Sequence, residues 1–552
     1  MTLHPTPITP VPEETARIAH AAFPSGNIYM QMRDILGGIY HDEQFADLFS
    51  GRGRPVIPPW RLALVTVMQF AEGLADRQAA DAVRARIDWK YALGLDLTDA
   101  GFDFSVLSEF RARLVAGSAE ERLLDVLVAA CTQHGYLKAR GKQRTDSTHV
   151  LAVVRTLHRF ERVAETLRAT LNTLATVAPD WLRAQVSPDW YDRYGRRVEE
   201  ERLPKGQQAR RLYAAQVGAD GQHLLDAAES PDAPEQVRQA PEVAVLRRIW
   251  SQQFTRTQDG GLELCDPKAL PKAREIVESP YEVEARSAIK RGRHWVGYKV
   301  HLTETCDADA PHLITQVHTT IAPAHDGEQL LTIQQSLAAR NLLPALQVAD
   351  MGYTSSRNLA RRYKRYQIDL IGPVYVDRQW QGRVAEGFTI ERFAIDWDRR
   401  QVTCPQGHAS VGWSQSTSAQ GRASVHVTFD PTDCLPCPAR SRCTRAKTGG
   451  GARGLTRKTR EEHDLLRVAR SRQQTADFAA LYAQRAGIEG AFSQGVRAFG
   501  LRQARYRGLR KTQVQDVATA TAIDLSRLYH WCEGDPPTTT RHSRFARLAP
   551  AS

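Results

Sequence analysis

Five strand-like runs, separated by segments of very unequal length, constrain the fold of this chain more than any other feature of its sequence. They are rich in β-branched and aromatic residues, and they span 144–154, 295–305, 312–320, 345–350 and 368–376. Helix-periodic segments lie before, between and after them. Strands that alternate with helical segments predict an α/β fold.

Composition shifts divide the 552 residues into several segments. We expect a disordered Pro-rich tail over 1–25, an all-α N-terminal domain over 26–138, an α/β domain over 139–535 and a second disordered tail over 536–552. Two insertions interrupt the α/β domain. The first, at about 155–290, is helical and charged, and the second, at about 380–460, is β-rich and contains most of the clustered cysteines.

Within the N-terminal domain, the stretch LADRQAADAVRARIDWKYALGL (74–95) predicts two short helices joined by a turn. This pattern resembles the helix-turn-helix of DNA-binding proteins. A helical domain that only packs is the alternative.

The overall charge and hydropathy limit the class of protein. The formal net charge is +12, which favours a polyanionic partner because each phosphate that Lys or Arg neutralises releases counterions. The N-terminus lacks the basic and apolar regions of a signal peptide, and apolar runs stop well short of the about 18 residues that a membrane helix needs. We therefore expect a cytoplasmic protein without a membrane span.

Three acidic residues lie in distinct local contexts: Asp146 in RTDSTHV, Asp350 in VADMGY and Glu489 in LYAQRAGIEGAF. Asp350 ends a strand-like run, which is where open α/β sheets place their chemistry. Phosphodiester cleavage builds charge on the entering and leaving oxygens, and carboxylates from separate elements can hold the metal ions that stabilise it. Taken singly, each acid is equally compatible with a turn residue, a helix cap or a solvated charge.

The segment around Glu489 is more specific. Tyr482, Arg485 and Glu489 are spaced i, i+3, i+7, which predicts that they share one face of a single helix. That face would offer a carboxylate, a planar guanidinium fork and a phenol to metal and phosphate. The alternative is an ordinary Arg–Glu surface pair. Gly487 and Gly490, which each weaken a helix, favour close approach to a sheet or to DNA.

The sequence resembles the bacterial insertion-sequence transposases of the DDE (Asp-Asp-Glu) class, whose third motif reads Tyr-x2-Arg-x3-Glu. The resemblance includes a helical N-terminal transposase domain, TDST with Asp146, GYKVHLTET (297–305), ADMGY with Asp350, the third motif and a Cys-rich insertion. One departure is that the Lys found seven residues after the Glu in related motifs is Val496 here, followed by Arg497.

The resemblance implies a ribonuclease H-like core in which Asp146, Asp350 and Glu489 hold two Mg²⁺ or Mn²⁺ ions. Tyr482 and Arg485 would contact phosphates near the transposon end. The partners implied are double-stranded DNA, as terminal inverted repeats and as target, and a second copy of the chain, since two ends are joined to one target. The function expected is cleavage at transposon ends and strand transfer into target DNA. Two alternatives remain open: a ribonuclease H-like endonuclease that cuts without joining, and a non-catalytic DNA-binding regulator.

A basic segment follows the third motif, with no acidic residue before Asp516. Binding of the DNA backbone is the natural use of such a run, and a solvated basic face is the alternative. Phe499 and Tyr506 interleave with the cations, and packing is the favoured role for Phe499. The candidate DNA-binding cations are Arg497, Arg502, Arg505, Arg507, Arg510 and Lys511.

The second insertion contains a cysteine cluster. Cys434 and Cys437 have the spacing of a zinc knuckle, and Cys404 and Cys443 would complete four thiolates, with His408 as a fifth candidate ligand. A structural zinc is expected here. Unligated buried thiols are the alternative.

Overall fold

A computed structural model describes residues 2–53, 55–290, 292–375, 379–419, 421–446 and 451–535. The expected tail 536–552 and Val376 lie outside these residues. The α-helices are α1 (Glu13–Ala22), α2 (Ile28–Leu36), α3 (Pro59–Glu72), α4 (Asp76–Ala85), α5 (Ile87–Leu93), α6 (Ser105–Ala116), α7 (Arg122–Gln133), α8 (Arg159–Val177), α9 (Pro179–Gln185), α10 (Pro188–Tyr194), α11 (Gln207–Glu229), α12 (Glu235–Arg238), α13 (Pro241–Gln253), α14 (Asp326–Ala339), α15 (Ser356–Tyr366), α16 (Pro431–Cys434), α17 (Arg440–Cys443), α18 (Arg460–Arg472), α19 (Ala476–Ala483), α20 (Ala486–Ala498) and α21 (Leu509–Cys532).

The strands are β1 (Lys142–Leu151), β2 (Phe254–Arg256), β3 (Leu262–Leu264), β4 (Arg286–Lys290), β5 (Arg293–Thr305), β6 (Ile314–Ile321), β7 (Leu346–Ala349), β8 (Asp369–Ile371), β9 (Ala394–Asp396), β10 (Gln401–Thr403), β11 (Gly412–Thr417), β12 (Ala423–Thr428) and β13 (Gly454–Arg457). All five strand-like runs of the sequence therefore contain a strand. The last is shorter than predicted, because Gly372 and Pro373 follow Ile371 and proline has no amide to donate to a sheet.

The chain forms two compact units. Unit 1 comprises 1–138, 147–324 and 489–552, and unit 2 comprises 139–146 and 325–488. One boundary between the units falls between Lys138 and Ala139, and the N-terminal helices belong to the same unit as β4 to β6 and α21. Helix α1 also lies inside 1–25, where the sequence predicted a disordered tail.

The main sheet is mixed. In unit 1, β5 pairs antiparallel with β4 and with β6, and Ala152 N, just after β1, donates to Val296 O of β5 at 3.0 Å. In unit 2, the first half of β1 pairs parallel with β7, and β7 pairs parallel with β8. The strand order is β4-β5-β1-β7-β8, with β6 also on β5. The fold class is therefore α/β, as predicted.

Helices α4 and α5 do not form the predicted helix-turn-helix. Only Arg86 separates them, whereas that motif needs a turn of three or four residues. Every residue of α5 from Asp88 to Leu93 is buried, so this helix presents no face to a DNA groove.

Each insertion has a core of its own. In unit 1, helices α8 to α13 pack around Val163, Leu167, Leu246 and Trp250. In unit 2, β9 pairs with β10, and β11, β12 and β13 form a three-stranded antiparallel sheet. The core of this second insertion includes Val402 and Phe429, with the four clustered cysteines packed against it.

Helix α21 is the centre of unit 1 and packs against β6, α3 and α7. It carries two fully buried acids. Asp516 Oδ2 accepts a hydrogen bond from Thr319 Oγ1 at 2.8 Å, and Asp524 Oδ1 accepts from Ile314 N at 2.8 Å. Burial raises the pKa of Asp516 from 3.8 to about 8 and raises that of Asp524 well above its ordinary value. Within the described residues, no helix is long and apolar enough to cross a membrane.

The raised pKa of Asp516 predicts a loss of stability with rising pH. Because the pKa of Asp516 is higher in the folded protein than in the unfolded chain, the neutral acid stabilises the fold fully below about pH 4. This stabilisation is lost as the pH rises to about 8, at up to ~1.4 kcal/mol per pH unit. Asp516→Asn mimics the neutral acid and should melt at a higher temperature than wild type at about pH 8. Melting curves at about pH 5 and pH 8 measure this, with the exposed Glu533→Gln as control. Equal pH dependence in wild type and Asp516→Asn would contradict the prediction.

Candidate active site

Asp146 and Asp350 lie side by side at the sheet edge of unit 2. The parallel pairing of β1 with β7 puts Thr145 opposite Ala349, and each acid is the next residue of its chain segment. Paired strands are about 4.8 Å apart, so the two acids are neighbours. Both side chains are partly buried. The structure thus brings together two of the predicted metal ligands, which are 204 positions apart in sequence (350 − 146).

The turn after Asp350 is held from several directions. Met351 N donates to Asp350 Oδ1 at 2.6 Å, and Tyr353 N donates to the Asp350 carbonyl at 2.9 Å. Asn358, a buried residue of α15, donates through Nδ2 to Tyr353 O at 2.7 Å and to Gly327 O at 2.8 Å. These bonds tie the turn to the first residues of α14 and fix the backbone that carries Asp350.

Asp326 is a further acid beside this turn. A Cβ on Gly352 would lie 3.2 Å from Asp326 Oδ2, so only glycine leaves the carboxylate its present room. Sequence reasoning singled out neither Asp326 nor Asn358. A sequence feature that could have drawn attention to Asn358 is Ser355, three residues before it. The side chain of Ser355 caps α15 by accepting a hydrogen bond from Asn358 N at 3.2 Å.

The third motif is not on one continuous helix, which corrects the prediction from its spacing. Helix α19 ends at Ala483 and α20 begins at Ala486, with Gln484 and Arg485 between them. Arg144 of β1 causes the break, because its Nη1 donates to Gln484 O at 2.8 Å. A Cβ on Gly487 would lie 1.9 Å from the same Nη1. The close approach to a sheet that was predicted for Gly487 is therefore observed.

Arg485 contacts the first acid directly. Its Nη2 donates to Asp146 Oδ2 at 2.8 Å, and the side chains of Arg485 and Asp146 are only 17% and 13% exposed. Tyr482 stacks on Phe478, with ring centroids 5.8 Å apart and planes inclined by 15°, and packs near Val348 and Ile371. The guanidinium of the motif is thus at the acidic pair, and the ring of Tyr482 is part of a small apolar cluster.

Glu489 lies in the first turn of α20, with an exposed side chain. The boundary between the two units falls between Ile488 and Glu489, inside this helix, so Glu489 is assigned to unit 1 and both aspartates to unit 2. Around Gly490, a Cβ would meet nothing within 4 Å. Within the described ranges, no three or more His, Cys, Asp or Glu side chains are grouped so that they could hold a metal ion.

Several cations of the basic segment that follows α20 contact other parts of unit 1. Arg502 Nη2 donates to Thr148 Oγ1 at 3.4 Å, Arg505 Nη1 donates to Leu74 O at 3.0 Å, and Arg510 pairs with Glu120. The exposed candidates are Arg497, Arg507, Arg510 and Lys511.

The two aromatic residues of this segment face the protein. Phe499 is buried, as expected, and Tyr506 contacts the ring of Phe70, with centroids 6.4 Å apart. Arg505 stacks over that same Phe70 ring, 4.9 Å from its centroid. These contacts give Tyr506 and Arg505 packing roles.

The four clustered cysteines line one cavity in the second insertion, together with His408. All four are free thiols. Burial and, to a smaller extent, the three other cysteines raise the pKa of the Cys443 thiol to about 11, against a lowering by Arg453. His408 Nδ1 lies 3.2 Å from Asp433 Oδ1. The four cysteines therefore line one cavity, although among the described residues they do not form a group that could hold a metal ion as it stands.

Two family models match the chain. One, described as a transposase DDE domain, matches residues 403–529, and the other, described as a transposase domain (DUF772), matches residues 17–113. Over these two ranges the chain is similar to transposase families. No curated protein matches it.

Only some of the candidate residues lie within the two transposase matches. The DDE-domain match includes Tyr482, Arg485 and Glu489, together with the cysteine cluster. Asp146 and Asp350 lie outside both matched ranges. Their assignment to the active site of this transposase relative is therefore based on the sequence resemblance and on their adjacent positions in the sheet.

Proposed function

We propose that this chain is a DNA transposase that cleaves DNA at transposon ends and transfers the freed strand to target DNA. The observation that supports this most is that Asp146, within β1, lies beside Asp350, which directly follows the parallel strand β7, in a chain that is similar over 403–529 to a transposase DDE domain. We also propose a ribonuclease H-like core, because the chain combines antiparallel pairing of β5 with β4 and β6 and parallel pairing of β7 with β1 and β8.

The donor set fits hard divalent cations. Magnesium commonly uses one or two protein carboxylates and fills its other positions with water and substrate phosphate, so the Asp146–Asp350 pair is a suitable platform. Glu489 is proposed as the third ligand. When bound, two Mg²⁺ or Mn²⁺ ions would stabilise charge on the entering and leaving oxygens of the phosphodiester.

The protein's own groups orient the DNA. Arg485 offers a guanidinium fork that matches two phosphate oxygens, and it already lies at the acidic pair. Arg497, Arg507 and Lys511 are exposed and are proposed to contact the backbone of double-stranded DNA. Tyr482 is proposed to contact the phosphate nearby. We propose that two copies of the chain act together in the cytoplasm, one at each inverted repeat.

A cleavage and strand-transfer assay tests this function and separates it from the alternatives. Duplexes with the inverted repeats that flank the coding region are incubated with the protein, Mg²⁺ and a supercoiled target plasmid. Cut ends together with joined products are expected. Cut ends without joined products would identify an endonuclease, and DNA binding without cutting would identify a regulator. Either result would overturn the proposal.

We further propose that Cys404, Cys434, Cys437 and Cys443 bind one structural zinc ion. Four thiols that line one cavity are the ligand set of closed structural zinc sites. The raised pKa of Cys443 favours its neutral thiol in the absence of a cation, and zinc would reverse this because it binds the thiolate.

Zinc analysis of the purified protein should find about one ion per chain, as expected for a four-cysteine site. Cys404→Ser or Cys437→Ser should lose it, because three thiolates hold zinc less tightly than four, whereas the exposed Cys532→Ser should retain it. Chelation should unfold the second insertion, since ligation and folding are coupled in small metal-bound units. A fully folded, zinc-free protein that is unaffected by chelator would contradict the proposal.

A further inference from the structure

The ion pair between Arg485 and Asp146 occupies a carboxylate that the proposed function needs for metal binding. Arg485 Nη2 is 2.8 Å from Asp146 Oδ2, and more than four fifths of each side chain is removed from solvent. Exposed ion pairs contribute little, but a partly buried one has lost most of its hydration, and its partners strongly favour remaining paired. This contact is therefore a defined state of the DNA-free protein.

The backbone at Arg485 is held in place by the strand that carries Asp146. Arg144, two residues before Asp146, donates to Gln484 O, the residue before Arg485. The guanidinium of Arg144 also fills the space that a side chain at residue 487 would need. The backbone beside Arg485, between α19 and α20, is therefore tied to the strand that carries Asp146.

Asp146 Oδ2 cannot keep this contact and also bind a divalent cation at the same position. Two cations brought within a few ångströms of each other repel strongly in a partly buried site. A DNA phosphate is a good alternative partner for Arg485, since it accepts two parallel hydrogen bonds from a guanidinium. Moving Arg485 to a phosphate would release Asp146 Oδ2 from this contact, so that it could bind the cation instead.

We propose that Arg485 is the residue that couples DNA binding to metal binding: it holds Asp146 in the DNA-free protein and exchanges this carboxylate for a backbone phosphate when DNA arrives. This inference rests on the proposed function of Asp146 and Asp350. Because such coupling is reciprocal, DNA raises the affinity for the metal by the same factor by which the metal raises the affinity for DNA.

Mn²⁺ binding to the full-length protein, followed by electron paramagnetic resonance of free Mn²⁺, tests this without any measurement of activity. Without DNA, Arg485→Gln should bind Mn²⁺ about tenfold more tightly than wild type, within the roughly 5- to 150-fold range of couplings between sites. A short DNA duplex should tighten Mn²⁺ binding by wild type by a similar factor and that by Arg485→Gln much less. Arg183→Gln removes an exposed cation of α9 that has no place in the proposed site, and as the matched control it should behave as wild type. If Arg485→Gln does not fold, Arg485→Met replaces it in both Mn²⁺ measurements.

The outcomes separate this inference from the function on which it rests. Asp146→Asn and Asp350→Asn identify the Mn²⁺ that binds at the acidic pair. If that Mn²⁺ binds wild type and Arg485→Gln equally, the coupling role of Arg485 is overturned while the metal site stands. If no Mn²⁺ binding, with or without DNA, is sensitive to either aspartate, the proposed function itself is overturned.

Discussion

Asp146→Asn, Asp350→Asn and Glu489→Gln are each expected to lower the rate of DNA cleavage by at least about a thousandfold. Each removes a charged ligand from the proposed metal site, whose charge stabilisation is worth several kcal/mol in the transition state, and ~1.4 kcal/mol corresponds to a factor of ten. Asparagine is preferable to alanine at residue 146, because its amide oxygen still accepts from Arg485, whose guanidinium would otherwise lose a buried partner.

Single-turnover cleavage of a labelled transposon-end duplex measures this effect, and a gel shift on the same preparations checks that the DNA still binds. Asp477→Ala is the control, since Asp477 is an exposed acid in the first turn of α19. A variant that still cuts at nearly the wild-type rate in Mg²⁺ would remove its residue from the proposed site.

Gly487→Ala and Gly490→Ala are expected to have opposite effects on stability, although they lie in the same helix. The methyl group at residue 487 would lie 1.9 Å from Arg144 Nη1, so Arg144 must move and release Gln484 O. Such overpacking costs about 1–3 kcal/mol of unfolding free energy. Around residue 490 the space is open, and alanine should stabilise the helix by up to about 1 kcal/mol.

Urea unfolding of both variants measures the difference in stability, and the cleavage assay shows its consequence. Gly487→Ala should also cleave DNA at least about tenfold more slowly, since a 1 Å misplacement of a positioning group can cost about a hundredfold. Gly487→Ala tests the contact of Arg144 with the helix break, whereas Gly490→Ala tests helix propensity alone. Equal stability of the two variants would contradict the role given to Arg144.

The neighbouring positions of Asp146 and Asp350 were within reach of sequence reasoning, because each follows or lies in a recognisable strand and parallel strands end at one edge. The cysteine cluster was equally accessible, since ligand spacing is a local property. The break between α19 and α20, at Gln484 and Arg485, could not be predicted from the sequence. It depends on Arg144, 340 positions away from Gln484, and no pattern within the motif reports such a contact.

The basic segment shows a second limit of prediction from the sequence. A run of cations in sequence attracts either DNA or the protein's own acceptors, and composition does not distinguish them. Arg510 pairs with Glu120, and Arg505 donates to the carbonyl of Leu74. Both acceptors lie in distant parts of the sequence. Likewise the 74–95 stretch had the helix lengths of a DNA reader, but burial of α5 depends on neighbours that periodicity alone does not identify.

The central position of α21 has a consequence for biosynthesis. This helix packs against α3 and α7, which are translated long before α21. The surfaces of α3 and α7 that α21 covers therefore stay uncovered until α21 has been made, unlike domains that fold one after another as they emerge. A prematurely terminated chain that stops before Leu509 would lack the helix on which these surfaces close, so it would be a substrate for chaperones and proteases rather than a free DNA-binding fragment.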